Sequence, residues 1–186
     1  MISEIKLKCS DRCDFKGIFK IMAEAFPDSE RRTEKKQLDL FNNINYKPYV
    51  FEKDGVLIGF ILSWEISDFR FIEHFAVDKA YRGSGIGSRI LSDYLLMNEK
   101  PVCLEVEPPL NSISKRRIAF YKRLGFMLND FEYFQPALQP GQKEVELKIM
   151  SYPKILLKEQ FNFYRKRIFN AAYGNSSVYM EGKNNE

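Results

Sequence analysis

The sequence predicts a mixed α/β fold built around a single hydrophobic core. Strand-like segments alternate with helical ones in the middle of the chain, and hairpin-like segments flank them, which together indicate a mixed sheet. The chain has 186 residues, of which 45% are hydrophobic. That length and content can bury one sizeable core, and no internal repeat or low-complexity tract indicates a second domain.

The N-terminal segments are predicted to form a short strand and two helices. Ile5–Lys8 has the pattern of a strand. A helix over Asp11–Phe26 follows, because Asp11 is a suitable N-cap and the apolar residues share one stripe: Phe15, Ile18, Phe19, Met22 and Phe26. The charged segment Asp28–Lys36 is predicted to be a loop, and a weaker helix then passes through Leu38.

A β-hairpin is predicted in the next segment. Tyr49–Lys53 and Val56–Ile66 are apolar runs separated by Asp54-Gly55. An Asp-Gly pair between apolar runs is a strong signal for a tight hairpin turn, because both residues tolerate positive φ. We therefore expect two antiparallel strands here.

A strand, a glycine-rich turn and a helix follow over residues 71–97. The run Phe71–Val77 is mostly apolar and aromatic, which suits a largely buried strand. Glycines at the start of the following helix let backbone N–H groups approach an anion, and the helix N-terminus adds partial positive charge. These glycines alternate with other residues, at Gly83, Gly85 and Gly87. The turn predicts a phosphate site, although it has neither the ending of a Walker loop nor the Rossmann spacing.

The remaining segments complete the sheet and add a C-terminal helix. Val102–Glu107 is strand-like, and Ser114–Leu124 has the periodicity of an amphipathic helix. Phe126–Phe134 and Val145–Met150 are predicted as two further strands. Apolar residues then recur at helical spacing over residues 153–174, and we expect this helix to pack on its own domain.

Two motifs in this order carry a family resemblance. The turn Arg82-Gly83-Ser84-Gly85-Ile86-Gly87 fits an Arg/Gln-x-x-Gly-x-Gly/Ala loop without a gap. Leu104-Glu105-Val106, Asn111 and Ala119-Phe120-Tyr121-Lys122-Arg123-Leu124-Gly125-Phe126 follow at the expected separation. With these motifs the chain resembles the GNAT superfamily of acyl-CoA-dependent N-acyltransferases.

The resemblance implies a particular form of the α/β fold. It implies a mostly antiparallel central sheet of about six to seven strands with flanking helices. The sheet should be splayed between the strands near residues 71–77 and 102–107. The acetyltransferase domain is expected over residues 1–151, and residues 152–186 are expected to form a C-terminal helical extension and a polar tail.

The resemblance also implies acetyl-CoA as co-substrate and indicates its contacts. Backbone groups of the splayed strand pair with the pantetheine arm, at Phe75, Ala76 and Val77. Backbone amides of the turn hold the pyrophosphate, at Arg82, Gly83, Ser84, Gly85, Ile86, Gly87 and Ser88. Asn111 matches a position that hydrogen-bonds the pantetheine, or it forms the loop before a helix cap. Tyr121 matches the tyrosine that contacts CoA and protonates its thiolate, with a core tyrosine as the alternative.

Three carboxylates compete for the role of the base that takes a proton from the amine. Side chains alternate between the two faces of a strand, so Glu105 and Glu107 lie on the same face. The proximity of their two negative charges can raise the pKa of one of them. Glu105 matches the glutamate base of ribosomal-protein-type members, and Glu73 occupies a position that other members use. We rank Glu105 first, Glu73 second and Glu107 third.

Other residue types exclude competing chemistries. The only histidine is His74, which rules out a site with several histidine ligands, so no metal is expected. Cys103 has no histidine partner for a thiolate nucleophile, which favours direct attack of the amine on the thioester. The net charge of +4 is too small and scattered to indicate nucleic acid, and no apolar run approaches the roughly 20 residues of a membrane span.

The acceptor is expected to be the primary amine of a small molecule. In this architecture it enters beside the first two helices and the closing hairpin, where we expect an aromatic wall: Phe41, Tyr46, Tyr49, Phe51, Trp64, Phe131, Tyr133 and Phe134. A protein N-terminus or lysine is an alternative acceptor, and an acyl-CoA-binding sensor without catalysis is an alternative function. An odd number of cysteines and the lack of a signal-peptide-like apolar run favour a cytoplasmic monomer or homodimer.

Overall fold

The computed structural model describes residues 5–174, which form one open sheet of eight strands with five α-helices. The strands are β1 (Ile5–Cys9), β2 (Tyr46–Lys53), β3 (Val56–Ile66), β4 (Phe69–Val77), β5 (Val102–Val106), β6 (Met127–Leu128), β7 (Tyr133–Gln135) and β8 (Val145–Tyr152). The helices are α1 (Phe15–Ala25), α2 (Glu34–Asp39), α3 (Ile86–Leu95), α4 (Ser112–Arg123) and α5 (Lys158–Ala172). The predicted mixed, mostly antiparallel sheet with flanking helices is confirmed.

The sheet opens between two of its central strands. The strand order is β1-β2-β3-β4-β5-β8-β6, and β7 also pairs with β8. Over the described residues, β4 with β5 is the one parallel pairing, and it covers only Arg70–Ile72 against Val102–Leu104. Beyond these residues the two strands separate. The predicted splay is therefore confirmed, and it leaves the C-terminal half of β4 without a partner on that side.

A buried arginine fixes the paired end of β4. The Arg70 side chain donates to two carbonyls near the end of α3, with Nη1 2.8 Å from the Tyr94 oxygen and Nη2 3.3 Å from the Leu95 oxygen. Its guanidinium also lies 4.5 Å from the centroid of the Tyr94 ring. These contacts satisfy carbonyls that a helix end leaves without intrahelical partners. They therefore tie α3 to β4 immediately before the two central strands separate.

Helices cover both faces of the sheet and form two hydrophobic clusters. On one face α1 and α5 contribute buried residues such as Ile18 and Phe161. On the other face α3 and α4 contribute residues such as Ile90 and Ile118. The helix over residues 153–174 that the sequence predicts is thus present as α5, and it packs on its own domain as expected.

Several predicted bounds differ from the structure because side chains cap the helices elsewhere. Helix α2 begins within the predicted loop, since the Thr33 hydroxyl accepts from Lys36 N at 3.4 Å. Helix α4 begins at Ser112, because the Asn111 Oδ1 atom accepts from Ile113 N and Ser114 N, both at 2.9 Å. Strand β8 continues to Tyr152, where it pairs with Val102.

The single strand predicted over Phe126–Phe134 is wrong, since this segment forms parts of two short strands. The buried Asn129 interrupts it. The Asn129 amide donates to the Ser151 hydroxyl at 2.9 Å, and its oxygen accepts from Leu156 N at 2.8 Å. These bonds divert the chain from the sheet between β6 and β7.

The C-terminal extension begins inside the sheet. The predicted boundary between the acetyltransferase domain and this extension, after residue 151, falls one residue before the end of β8. The boundary itself stays a prediction. The predicted polar tail, residues 175–186, lies outside the described residues. Between residues 5 and 174, no helix has both the length and the apolar character needed to span a bilayer.

Two phenylalanines on α5 provide a test of its packing. Phe161 is 1% exposed and its ring lies 4.6 Å from that of Phe131, whereas Phe163 is 40% exposed. Phe161→Ala should lower the free energy of unfolding by about 3–5 kcal/mol, because it leaves a cavity in the core. Phe163→Ala is the matched control and should cost less than about 1 kcal/mol in urea denaturation. Equal losses would contradict the packing of α5 described above.

Candidate active site

A cavity of about 510 Å³ lies where β4 and β5 separate. One end is lined by the glycine-rich turn and by α4, and the other end by the loop after α1 and by the end of α5. We call these the cofactor end and the acceptor end. The cavity is therefore a direct consequence of the short pairing between the two strands.

The cofactor end has the backbone conformation of an anion cradle. Gly83 and Gly85 have φ of +83° and +80°, which residues with a side chain rarely adopt. A Cβ atom on either glycine would meet nothing within 4 Å, so the space above the turn is open. Gly85 is the N-cap of α3, and no side chain caps that helix. The Arg82 Nε atom donates to Val77 O at 2.8 Å and so fixes the turn against β4.

Most of the residues that the sequence assigns to CoA line this cavity. They are Phe75, Ala76, Val77, Arg82, Gly83, Gly85, Gly87, Ser88 and Tyr121. Ser84 and Ile86 belong to the turn but are not lining residues, and the Ser84 hydroxyl donates to Tyr81 O at 3.0 Å. Asn111 is also outside the lining, and its side chain caps α4 as described above. Their contacts with CoA stay predictions.

Tyr121 lies on α4 between the two ends of the cavity. Its side chain is 7% exposed and packs edge-on against Phe120 and Phe126. Burial raises the pKa of Tyr121 to about 12, and the positive charge of Arg117 opposes part of that increase. The phenol is therefore protonated at neutral pH and can act as a proton donor.

Glu105 is a partly buried carboxylate held by two tyrosines. Tyr133 from β7 donates to Oε1, and the Tyr173 hydroxyl lies 2.9 Å from Oε1 and 2.8 Å from Oε2. Burial raises the pKa of Glu105 to about 7, while the two tyrosine hydroxyls oppose the increase. Glu105 can therefore exchange a proton near neutral pH, as a general base must.

Glu73 lies on the neighbouring strand in a different environment. Arg32 forms an ion pair with Oε1, and the Trp64 indole donates to Oε2 at 3.0 Å. Both oxygens of Glu73 thus accept from strong donors. The third candidate, Glu107, forms an ion pair with Arg117 at 2.6 Å. All three carboxylates line the cavity, and Glu105 differs from the others because no cation of residues 5–174 lies within salt-bridge distance of it.

Hydrogen bonds join the loops around the acceptor end. The Gln139 side chain donates to Arg31 O and that of Gln142 to Asp28 O, both at 2.9 Å, so the β7–β8 loop is joined to the loop after α1. His74 Nε2 lies 2.9 Å from Glu30 O and ties the same loop to β4. These bonds hold the two loops together beside the acceptor end. His74 has the structural role that a lone strand histidine suggests.

The predicted aromatic wall at the acceptor end is wrong. Across the described chain, none of its eight residues lines the cavity, and Tyr46, Phe51, Trp64 and Tyr133 are core residues instead. Two carboxylates, Glu30 and Glu107, line the cavity instead. Burial raises the pKa of Glu30, and the nearby charge of Glu107 adds to the increase. Arg32 and Tyr173 were missed, because their contacts join segments far apart in sequence and no local pattern reports them.

Within residues 5–174, no group of three or more His, Cys, Asp or Glu side chains could hold a metal ion.

Comparison with known proteins agrees with this geometry. The family model described as "Acetyltransferase (GNAT) domain" matches residues 45–128. YjbC, a proposed acetyltransferase of Bacillus subtilis (strain 168), is 27% identical over 107 residues, which cover 56% of this chain. The match spans about half of that relative, 54% of its length.

Solved structures are similar over most of the chain. A proposed GNAT-family acetyltransferase of Bacteroides thetaiotaomicron is 29% identical with a TM-score of 0.85, covering 91% of this chain and 98% of its own. The ribosomal-protein-S18-alanine N-acetyltransferase of Escherichia coli is 22% identical with a TM-score of 0.61, and the match covers 84% of this chain and 97% of that one. YncA of Salmonella typhimurium, with its cofactor acetyl-CoA, is 18% identical with a TM-score of 0.57, and the match covers 80% of this chain and 93% of that one. The last two share the fold. Residues 45–128 thus match the GNAT acetyltransferase domain, and the splayed sheet of the described residues is the fold of these acetyltransferase structures.

Proposed function

We propose that this protein is an N-acetyltransferase that transfers the acetyl group of acetyl-CoA to a primary amine of a small molecule by direct attack. The proposal rests on the groups that line one cavity. They are an open anion cradle at the start of α3, a protonated tyrosine and a partly buried carboxylate with a pKa of about 7.

The cofactor end fits a pyrophosphate-containing molecule. The open space above Gly83 and Gly85 admits phosphate oxygens to the first backbone N–H groups of α3, where the helix dipole favours negative charge. The unpaired edge of β4 carries Phe75, Ala76 and Val77 and can pair with an extended amide-containing arm. When bound, acetyl-CoA supplies the acetyl group as a reactive thioester.

The two ionisable groups have complementary roles. Glu105 accepts a proton from the incoming ammonium, so the free amine nitrogen can attack the acetyl carbonyl carbon and form the new C–N bond. As the C–S bond breaks, Tyr121 donates its proton to the leaving sulfur. At neutral pH, a pKa of about 7 leaves part of Glu105 unprotonated and able to accept a proton, and a pKa of about 12 leaves Tyr121 protonated and able to donate one. The nitrogen loses a further proton as the neutral amide forms, and this proton restores the Tyr121 phenol.

We assign the base to Glu105 rather than to Glu73. Glu73 already neutralises Arg32 and accepts from Trp64, so a proton on its carboxyl would break a buried ion pair. Its negative charge nevertheless faces Glu105 and contributes to the raised pKa of that group. Glu73 therefore acts as a supporting charge.

The joined loops beside the acceptor end favour a small acceptor. The bonds from Gln139 and Gln142 bridge the loop after α1 and the β7–β8 loop, on the side where the acceptor is expected to enter. A continuous peptide would have to break this bridge, whereas a small amine would not. Glu30, Glu105 and Glu107 would attract its positive charge.

The remaining assignments follow from composition. We propose a cytoplasmic location, because Cys9, Cys13 and Cys103 are free thiols. A monomer or a homodimer is compatible with the described surface, and no nucleic acid or membrane partner is proposed.

Release of free thiol from acetyl-CoA with a panel of amines tests the function. We expect turnover with one class of small primary amines, such as polyamines, amino sugars or amino acids, and little with peptides that have free N-termini. Preferred turnover of a peptide would contradict the small-molecule assignment. Binding of acetyl-CoA without turnover of any acceptor would instead support the sensor alternative.

A charge placed in the cradle should abolish binding of acetyl-CoA. The ligand should stabilise the native protein by about 2.7 kcal/mol at roughly 100 times its Kd, measured as a rise in Tm. Gly85→Glu should remove that rise, because the carboxylate would occupy the anion site. Gly55→Glu is the matched control, since Gly55 has a similar φ of +76° and equally open surroundings in the β2–β3 hairpin. A full rise in Tm for folded Gly85→Glu would contradict the cradle.

The pH profile of kcat/KM should identify the base. The wild-type rate should rise through about pH 7 as Glu105 loses its proton. Glu105→Gln should remove this ascending limb, with partial recovery at high pH as more free amine is present. Glu73→Gln should keep the limb but move it to lower pH, because a negative charge near Glu105 is lost. It should also lower the free energy of unfolding by about 3 kcal/mol, since Arg32 is left unpaired. The reverse pattern would make Glu73 the base.

A further inference from the structure

The end of the C-terminal helix reaches into the active site. Tyr173 is the C-cap residue of α5 and lines the acceptor end of the cavity. Its hydroxyl lies between the two oxygens of Glu105, 2.9 Å from one and 2.8 Å from the other. A tyrosine hydroxyl has one proton, so it donates to either oxygen and favours the carboxylate over the neutral acid.

Arg32 holds Tyr173 in this position. One nitrogen of its guanidinium donates to the carbonyl of Ala172, and the group lies 5.9 Å from the centroid of the Tyr173 ring. The same side chain forms the ion pair with Glu73. On the other side, the Phe169 ring packs edge-on against Tyr173 at 5.8 Å. The position of the hydroxyl is therefore fixed by contacts that do not involve the hydroxyl itself.

We propose that Tyr173 is a positioning residue of the active site, which orients Glu105 and favours its charged form, so that α5 is part of the catalytic machinery. The proposal rests on the acetyltransferase function proposed above. It gives the C-terminal extension a role beyond packing.

Four groups face the Glu105 carboxyl and set its ionisation. Tyr133 from β7 and Tyr173 from the end of α5 donate to it, Glu73 on β4 repels it, and Arg32 attracts it. Burial is the largest influence and raises the pKa to about 7, and both tyrosine hydroxyls lower it. Removing one hydroxyl should therefore raise the pKa further, and less of the base would be charged at neutral pH.

Of the two tyrosines, Tyr173 is the one on the cavity side. Tyr133 is 1% exposed and belongs to the core beneath β7, whereas Tyr173 is a lining residue. An amine approaching Glu105 would therefore meet the Tyr173 hydroxyl, which fixes the direction in which the carboxylate lone pairs are presented.

Direct titration of Glu105 tests the proposal without reference to turnover. The full chain is labelled with ¹³C at the glutamate carboxyl carbons, and the Glu105 signal is identified by its loss in Glu105→Gln. In Tyr173→Phe, which keeps the ring, the midpoint of the Glu105 titration should rise by about one pH unit. Tyr164→Phe is the matched control, because Tyr164 lies on the same helix with its ring stacked on Phe69. In this variant the midpoint of the Glu105 titration should equal that of the wild type.

The rate profile provides the second readout. In Tyr173→Phe, the ascending limb of kcat/KM should move to higher pH by the same amount as the titration midpoint. At pH values below the limb, kcat/KM should therefore be about tenfold lower than in the wild type, and at high pH the two curves should coincide. A titration midpoint unchanged from wild type would overturn the proposal, as would an equal loss of rate at every pH. If the wild type turns over no amine, the acetyltransferase function fails, and the titration alone decides whether Tyr173 controls Glu105.

Discussion

The short pairing between β4 and β5 is the constraint on which the rest of the structure depends. Three residue pairs hold the strands together, and their separation beyond Ile72 and Leu104 opens the cavity and exposes one edge of β4. An exposed edge inside a protein is costly unless its backbone groups find partners. A ligand arm that supplies amides can meet that need, so the gap in the sheet both creates the site and selects what fills it.

Two glutamates on adjacent strands illustrate how environment separates chemically identical groups. Among the described residues, Glu73 has a cationic partner and an indole donor, whereas the side-chain donors to Glu105 are two neutral hydroxyls. Burial raises the pKa of Glu105 toward neutrality. The family resemblance could rank the two residues, but the partner that distinguishes them, Arg32, comes from a distant loop.

The features that could be predicted from the sequence are those set by neighbouring residues. The Asp54-Gly55 turn, the glycines before α3 and the apolar stripe of α1 are all local, and the splay was implied by the family resemblance. Long-range polar contacts could not be predicted. Asn129 interrupts a strand because of its bonds to Ser151 and Leu156. The aromatic residues expected around the acceptor belong to the core instead, because a hydrophobic side chain does not reveal which face of a sheet buries it.

The contacts of Arg32 join three separate parts of the chain: its own loop, β4 through Glu73 and the end of α5 through Ala172. The acceptor end is thus held together by contacts within the protein, and a wall fixed in this way loses little conformational entropy when a molecule binds against it. A rigid site of this kind selects acceptors by their fit to its walls. A change in acceptor preference should therefore require altered side chains at those walls rather than altered loop motion.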